Sequence, residues 1–150
     1  MRKFAFRLQR ALQFALLREN QSKKKVAATL QRMAFLEKYS TKLEERLKAA
    51  IEWSNRAVNT LEGDAHRQAI LPTMDESKRI GVLLEEEKEA LKAAQDELIR
   101  QSRRRRSLES LREKRQSDFR KDEARREQKK IDDMVSLGQA RKLALPTQGD

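Results

Sequence analysis

A heptad register that runs unbroken from Leu8 to Leu61 constrains this chain more than any other feature. Alternating steps of four and three land on Leu8, Leu12, Ala15, Glu19, Ser22, Val26, Thr29, Met33, Leu36, Ser40, Leu43, Leu47, Ala50, Ser54, Ala57 and Leu61. Eleven of these sixteen positions are apolar, and Glu19 is the one charge among the five exceptions. Leu30, Ile51 and Val58 fall beside the seam and widen it, and no proline or glycine interrupts the run. An apolar period of about 3.5 residues held this long demands a partner helix and a left-handed supercoil. At about 1.5 Å per residue the stretch predicts a rod of roughly 80 Å. The expected fold class is all-α, a coiled coil.

Composition agrees with a seam rather than a broad core: 39% of the 150 residues are charged and 5% aromatic, with mean hydropathy −0.92. A net charge of +11 points to acidic partners, whether protein, nucleic acid or lipid. There is no cysteine, so disulfides and thiolate metal sites are excluded. The longest apolar run, Phe14 to Leu17, is far short of a membrane span. Arg2, Lys3, Arg7, Arg10 and Arg18 precede any acid, which is the look of a transit peptide or an interfacial helix. The heptad register, however, begins inside that segment and continues past it.

Helix one is expected from about Lys3 to Glu62, with Gly63 as its stop. A connection over 63–72 follows, rich in Gly, Asp and Pro, in which Ala65 to Leu71 has room for a short helical turn. Thr73 and Glu76 have the spacing of a capping box, so helix two should begin near Met74 and run towards Leu137. Its seam is read in Ile80, Leu84, Leu91, Ala94 and Leu98, stepping around Glu87. Between Arg100 and Lys130 only Leu108, Leu111, Phe119 and Ala124 are apolar. Ile131, Met134, Val135 and Leu137 restore a short stripe before Gly138. Residues 144–150, with Pro146, are expected to form a flexible tail.

Two long helices and one connection predict an antiparallel hairpin spanning residues 1–143, the competitor being a parallel dimer or larger bundle. With the bend near residue 68, residue i lies opposite 136 − i. Residues 1 to 25 carry a net +7, 26 to 99 a net −3, 100 to 130 a net +8 and 131 to 150 a net −1. The hairpin would gather the two basic blocks at the end bearing the termini. Arg103, Arg104, Arg105 and Arg106 surround their helix at about 100° spacing. The stretch expected opposite, Leu30 to Leu36, holds Arg32 and no acid, so the four arginines are expected to lack partners in the chain, with Glu37 and Glu109 the nearest candidates.

Phe4, Phe14, Phe35, Tyr39 and Trp53 occupy one flank beside the seam of helix one. They either broaden a core covered by helix two or offer an apolar flank to a partner. Phe35, Tyr39 and Trp53 are the candidate docking residues. Catalytic patterns are lacking. His66 is the one histidine, the four glycines are scattered, and Glu85-Glu86-Glu87 runs around a helix without converging. The chain is therefore read as a non-enzyme without cofactor or metal.

Phe4-Ala5-Phe6-Arg7-Leu8-Gln9 resembles the Phe-x-Phe-Arg-Leu opening of the flagellar export proteins of the FliJ family. Leu111-Arg112-Glu113-Lys114-Arg115, with Phe119 just after, is similar to that family's Leu-Lys-Glu-Lys-Arg segment. Glu127-Gln128-Lys129-Lys130-Ile131-Asp132 looks like its closing signature. Asp133 stands where the family more often has Glu, and Phe119 where it usually has Tyr. The resemblance spans nearly the whole chain. It implies an antiparallel coiled coil similar to the stalk subunit of rotary ATPases, acting in flagellar type III protein export. The implied partners are the hexameric export ATPase, the cytoplasmic domain of the membrane export gate and export chaperones, with no nucleic acid. The implied location is the cytoplasmic face of the inner membrane, with peripheral association through the export apparatus. On this basis Phe4, Arg7, Leu8, Arg103 to Arg106, Gln128 and Lys129 are the expected ATPase-binding residues. Asp132 and Asp133, close to the expected helix end, oppose the macrodipole, a small hint of use beside the simpler reading of a solvated pair. The alternatives are a basic coiled coil that binds nucleic acid and a structural coiled coil on a membrane surface.

Overall fold

The computed structural model describes residues 3–144. Among them all regular structure is helical: α1 (Gln9–Arg56) and α2 (Leu61–Ala144) pack against each other as an antiparallel coiled-coil hairpin. The seam of α1 lies where the heptad places it. Leu12, Ala15, Glu19, Ser22, Thr29, Leu43 and Ala50 are buried, and Val26, Met33, Leu36, Ser40, Leu47 and Ser54 are half-buried. On α2, Ile80 is buried, and Leu84, Glu87, Leu91, Ala94 and Leu98 are half-buried. The seam is narrow, because Leu30, Ile51 and Val58 beside it are exposed, as are Leu8 and Leu61 at its ends. Thr29 fits inside because its hydroxyl donates to the Lys25 carbonyl at 3.0 Å, closing its own polar need.

The bend falls earlier than the glycine and proline spacing predicts. Helix α1 ends at Arg56, and the connection is Ala57 to Thr60 rather than 63–72. Thr60 is the cap that sequence reading passed over: its hydroxyl oxygen accepts the Gly63 N–H at 3.2 Å, and its carbonyl accepts the Asp64 N–H at 3.1 Å. Glu62 and Asp64 then lie in the first turn, where the helix dipole favours acids. Arg67 closes the other side of the bend, donating to the Ser54 and Val58 carbonyls at 3.5 and 3.1 Å and pairing with Asp64. Gly63 is therefore no stop but a point of close approach. A Cβ there would collide with the Ala57 carbonyl oxygen.

Pro72 lies inside α2, and Thr73 is not a cap. The Thr73 hydroxyl donates back to the Ala69 carbonyl at 2.7 Å, and Glu76 pairs with Arg79 instead of reaching backwards. At its amino-terminal end, α1 begins at Gln9 and not Lys3, after residues 3–8 that lack regular structure apart from a turn. Helix α2 passes Gly138, which keeps a negative φ, and continues to Ala144. Asp132 and Asp133 thus stand well before the helix end and do not oppose its terminal dipole. The remainder of the expected tail, residues 145–150, lies outside the described residues, as does Arg2.

The chain divides into two compact units, Phe14–Arg104 and Met1–Gln13 with Arg105–Asp150. Within the first unit, Glu19 meets Ser102, Arg32 meets Glu87 and Trp53 meets His66. Residue i faces about 120 − i, not 136 − i, because the bend has moved. In the other unit, every residue from 124 to 144 of α2 is exposed, including Ile131, Met134, Val135 and Leu137. Nothing among the described residues covers that stripe.

Candidate functional site

The residues before α1 rest on α2 within the unit that holds both. Leu111, Arg115, Asp118, Phe119 and Asp122 recur at steps of three and four and share one face of α2. With Lys3, Phe4, Ala5, Phe6, Arg7 and Leu8 they line a cleft of about 870 Å³. The Phe4 and Phe119 rings meet at 5.7 Å between centroids, tilted by 53°. Lys3, Arg7, Arg115, Asp118 and Asp122 are the charged members of this lining, and the surrounding unit is strongly basic. Residues 3–13 and 105–144 hold sixteen basic and eight acidic side chains, a net +8, whereas 14–104 hold eighteen and fifteen, a net +3.

The four arginines divide by orientation. Arg105 is half-buried and paired with Glu109, four residues on, so the expectation that the run lacks partners fails there. Arg103 also has a partner within the chain, while Arg104 and Arg106 are exposed. The expected facing stretch, Leu30 to Leu36, instead faces α2 near Glu87, and Ser102 just before the run meets Glu19. Further along α2, Gln128 donates from Nε2 to the Asp132 carboxylate at 2.9 Å, and Lys129 is exposed. Neither lines the Phe4 cleft.

The candidate docking aromatics do not form one surface. Phe35 is 71% exposed over an open groove of about 590 Å³ that also involves Ala28, Arg32, Leu36, Leu83 and Glu87. The Arg32 Nε grips both Glu87 oxygens, at 3.0 and 3.2 Å. Tyr39 is half-buried beside the Glu76–Arg79 pair, where the Arg79 guanidinium, with a smaller pull from Tyr39, holds the Glu76 carboxyl below its ordinary range. Trp53 stacks on His66 at 5.7 Å and 12°, so the bend occupies one of its faces. Sequence reading missed Leu83, Asp118 and Asp122 as lining residues. Leu83 sits next to the seam residue Leu84, and the two aspartates flank Phe119 at helical spacing, so periodicity carried the signal once the register was known.

Among the described residues no three side chains of metal-ligating type converge, and no helix is long and apolar enough to cross a membrane. Fold and surfaces together define a class: a basic, antiparallel coiled-coil hairpin with an aromatic cleft beside its amino-terminal segment. Compared with protein families, characterised proteins and solved structures, the chain shows no significant match to any.

Proposed function

We propose that this chain is a stalk-like coiled coil of the flagellar type III export machine, coupling the hexameric export ATPase to the cytoplasmic domain of the membrane export gate. The contact between Phe4 and Phe119 carries the reading. Two of the three segments that resemble the FliJ family, Phe4 to Gln9 and Leu111 to Arg115 with Phe119, lie far apart in sequence and meet in one cleft. The third, Glu127 to Asp132, lies on an exposed stretch of α2, where a partner has access to it. The +8 charge of the same unit suits an acidic lining in a ring. Phe35 and its groove suit the gate or an export chaperone. The location that follows is the cytoplasmic face of the inner membrane.

The test is a pull-down of the export ATPase hexamer by the parent chain, by Arg104→Glu with Arg106→Glu, and by Phe4→Ala. Arg103 and Arg105 are left alone because both have partners within the chain. Each variant should retain parental helix content and lose at least about tenfold in affinity, equivalent to about 1.4 kcal/mol. Undiminished capture by both variants would remove the assignment.

A further inference from the structure

Between Lys3 and Leu36 the chain contains one carboxylate, Glu19. It is turned into the seam and only 4% exposed, held by the Ser102 hydroxyl at 2.8 Å and by Lys23 at 3.4 Å. The solvent face of α1 over residues 14–36 therefore presents no acid. It does present apolar groups. Phe14 and Leu17 are 48% and 54% exposed. Steps of three and four place them on one line with Gln21 and Lys24, outside the seam, Phe14 on its flank and Leu17 on the outer face. The Arg18 guanidinium lies 5.0 Å over the Phe14 ring, and Lys23, Lys24 and Lys25 are exposed just beyond.

The facing part of α2 adds to the positive field. Over residues 14–25 and 96–104 seven basic side chains stand against three acidic ones. Of those three, Glu19 is buried, and Glu97 is tied to Gln101 at 2.6 Å and to Arg100 at 2.8 Å. Asp96 is the remaining exposed acid. Such a face, predominantly cationic with an aromatic and a leucine at its crest, matches a surface that is negative outside and apolar within.

We propose that the Phe14 to Lys25 face of α1 binds an anionic phospholipid membrane surface. Lys24, Lys25 and Arg18 lie among the headgroups, and Phe14 and Leu17 enter the boundary with the acyl chains. Long basic side chains suit this arrangement because their stems follow the apolar surface while the charged ends stay with the headgroups. A nucleic acid would satisfy the charges but leave Leu17 in water, with no base edge or ring to match it. Phe14, Leu17, Lys24 and Lys25 are not among the residues assigned to the ATPase. A failed vesicle experiment therefore leaves the export reading standing, and a failed ATPase pull-down leaves this one.

Flotation of the full chain with vesicles tests it. The chain should float with phosphatidylcholine vesicles containing about 30% phosphatidylglycerol and stay behind with phosphatidylcholine alone. Phe14→Ser with Leu17→Ser should weaken flotation at least about tenfold, and Lys24→Glu with Lys25→Glu should do the same. Both double variants alter exposed side chains, and circular dichroism should match the parent. Absence of flotation with anionic vesicles, or flotation indifferent to Phe14 and Leu17, would overturn the proposal. So would a nucleic-acid duplex that binds as tightly as the vesicles and competes them away.

Discussion

The Ser102 hydroxyl donates a 2.8 Å hydrogen bond across the helix pair to the buried carboxylate of Glu19. This acid occupies a seam position that a leucine would fill without desolvation cost, and Ser22 and Thr29 extend the polar stretch. A buried acid, even one held by Ser102 and paired with Lys23, is weak support for stability, and its best-attested use is to specify one register. Glu19→Leu should raise the thermal midpoint, by about 1 kcal/mol or more in stability. It should also add species beyond the parental one in sedimentation velocity. A lower midpoint with an unchanged single species would mean that Glu19 anchors the fold instead.

Gly63 and Pro72 distinguish the two placements of the bend. With Gly63 packed on Ala57, Gly63→Ala should destabilise by about 1–3 kcal/mol through overpacking. With Pro72 inside α2, Pro72→Ala should stabilise by up to about 3 kcal/mol, since alanine restores the N–H and removes the ring clash. Were residues 63–72 a loop, the proline replacement would have little effect. Denaturant melts of the two variants decide between these cases.

Phe4 and Phe119 should be energetically coupled. A double-mutant cycle with Phe4→Ala and Phe119→Ala is expected to give an interaction of about 0.5–1.5 kcal/mol. Either single change should speed amide exchange over residues 3–8, because that segment has little regular structure to hold it without the ring contact.

Acid should weaken the hairpin. Glu76, bound by Arg79 at 2.7 and 2.9 Å, and Glu97, bound first by Gln101 and then drawn by Arg100, Lys25 and Arg18, titrate below the ordinary glutamate range. A folded value below the unfolded one contributes stability that is present above the unfolded value. That stability is lost as pH falls through the folded value. The thermal midpoint should drop between about pH 5 and pH 3, and Glu76→Gln should flatten part of that slope while lowering the midpoint slightly at pH 7.

The exposed end of α2 should be the least protected helical segment. A lone helix of about 20 residues is marginal in water without a packed face. Residues 124–144 have none among the described residues, and Met134 and Leu137 are 65% and 63% exposed. Hydrogen exchange there should be orders of magnitude faster than around Ile80 to Leu98. Strong protection in the isolated chain would require a partner for the Ile131, Met134 and Val135 stripe.

Periodicity made the helices and their inner faces readable, since the spacing of Leu12, Leu43, Ala50, Ile80 and Leu98 is a property of each segment alone. The bend was misplaced because Gly63 and Pro72 look like stronger punctuation than Thr60. Glycine can serve close packing as readily as a stop, and a proline is tolerated in a helix when neighbouring groups satisfy the freed carbonyls. In an antiparallel pair, a bend that moves along the chain shifts every facing pair by twice as much. One local misreading therefore put Arg103 to Arg106 opposite Leu30 to Leu36.

From the sequence alone came the all-α class, the antiparallel pairing, the seam and the loading of positive charge towards both ends, because periodicity and charge need no knowledge of neighbours. Only the tertiary structure decided that Glu19 meets Ser102, that Arg105 is paired, and that Phe4 lies on Phe119. It alone left the last turns of α2 uncovered. Each of these depends on which residues face one another, and that register is set by steric fit at the bend, where Gly63 admits the carbonyl of Ala57 and no side chain would.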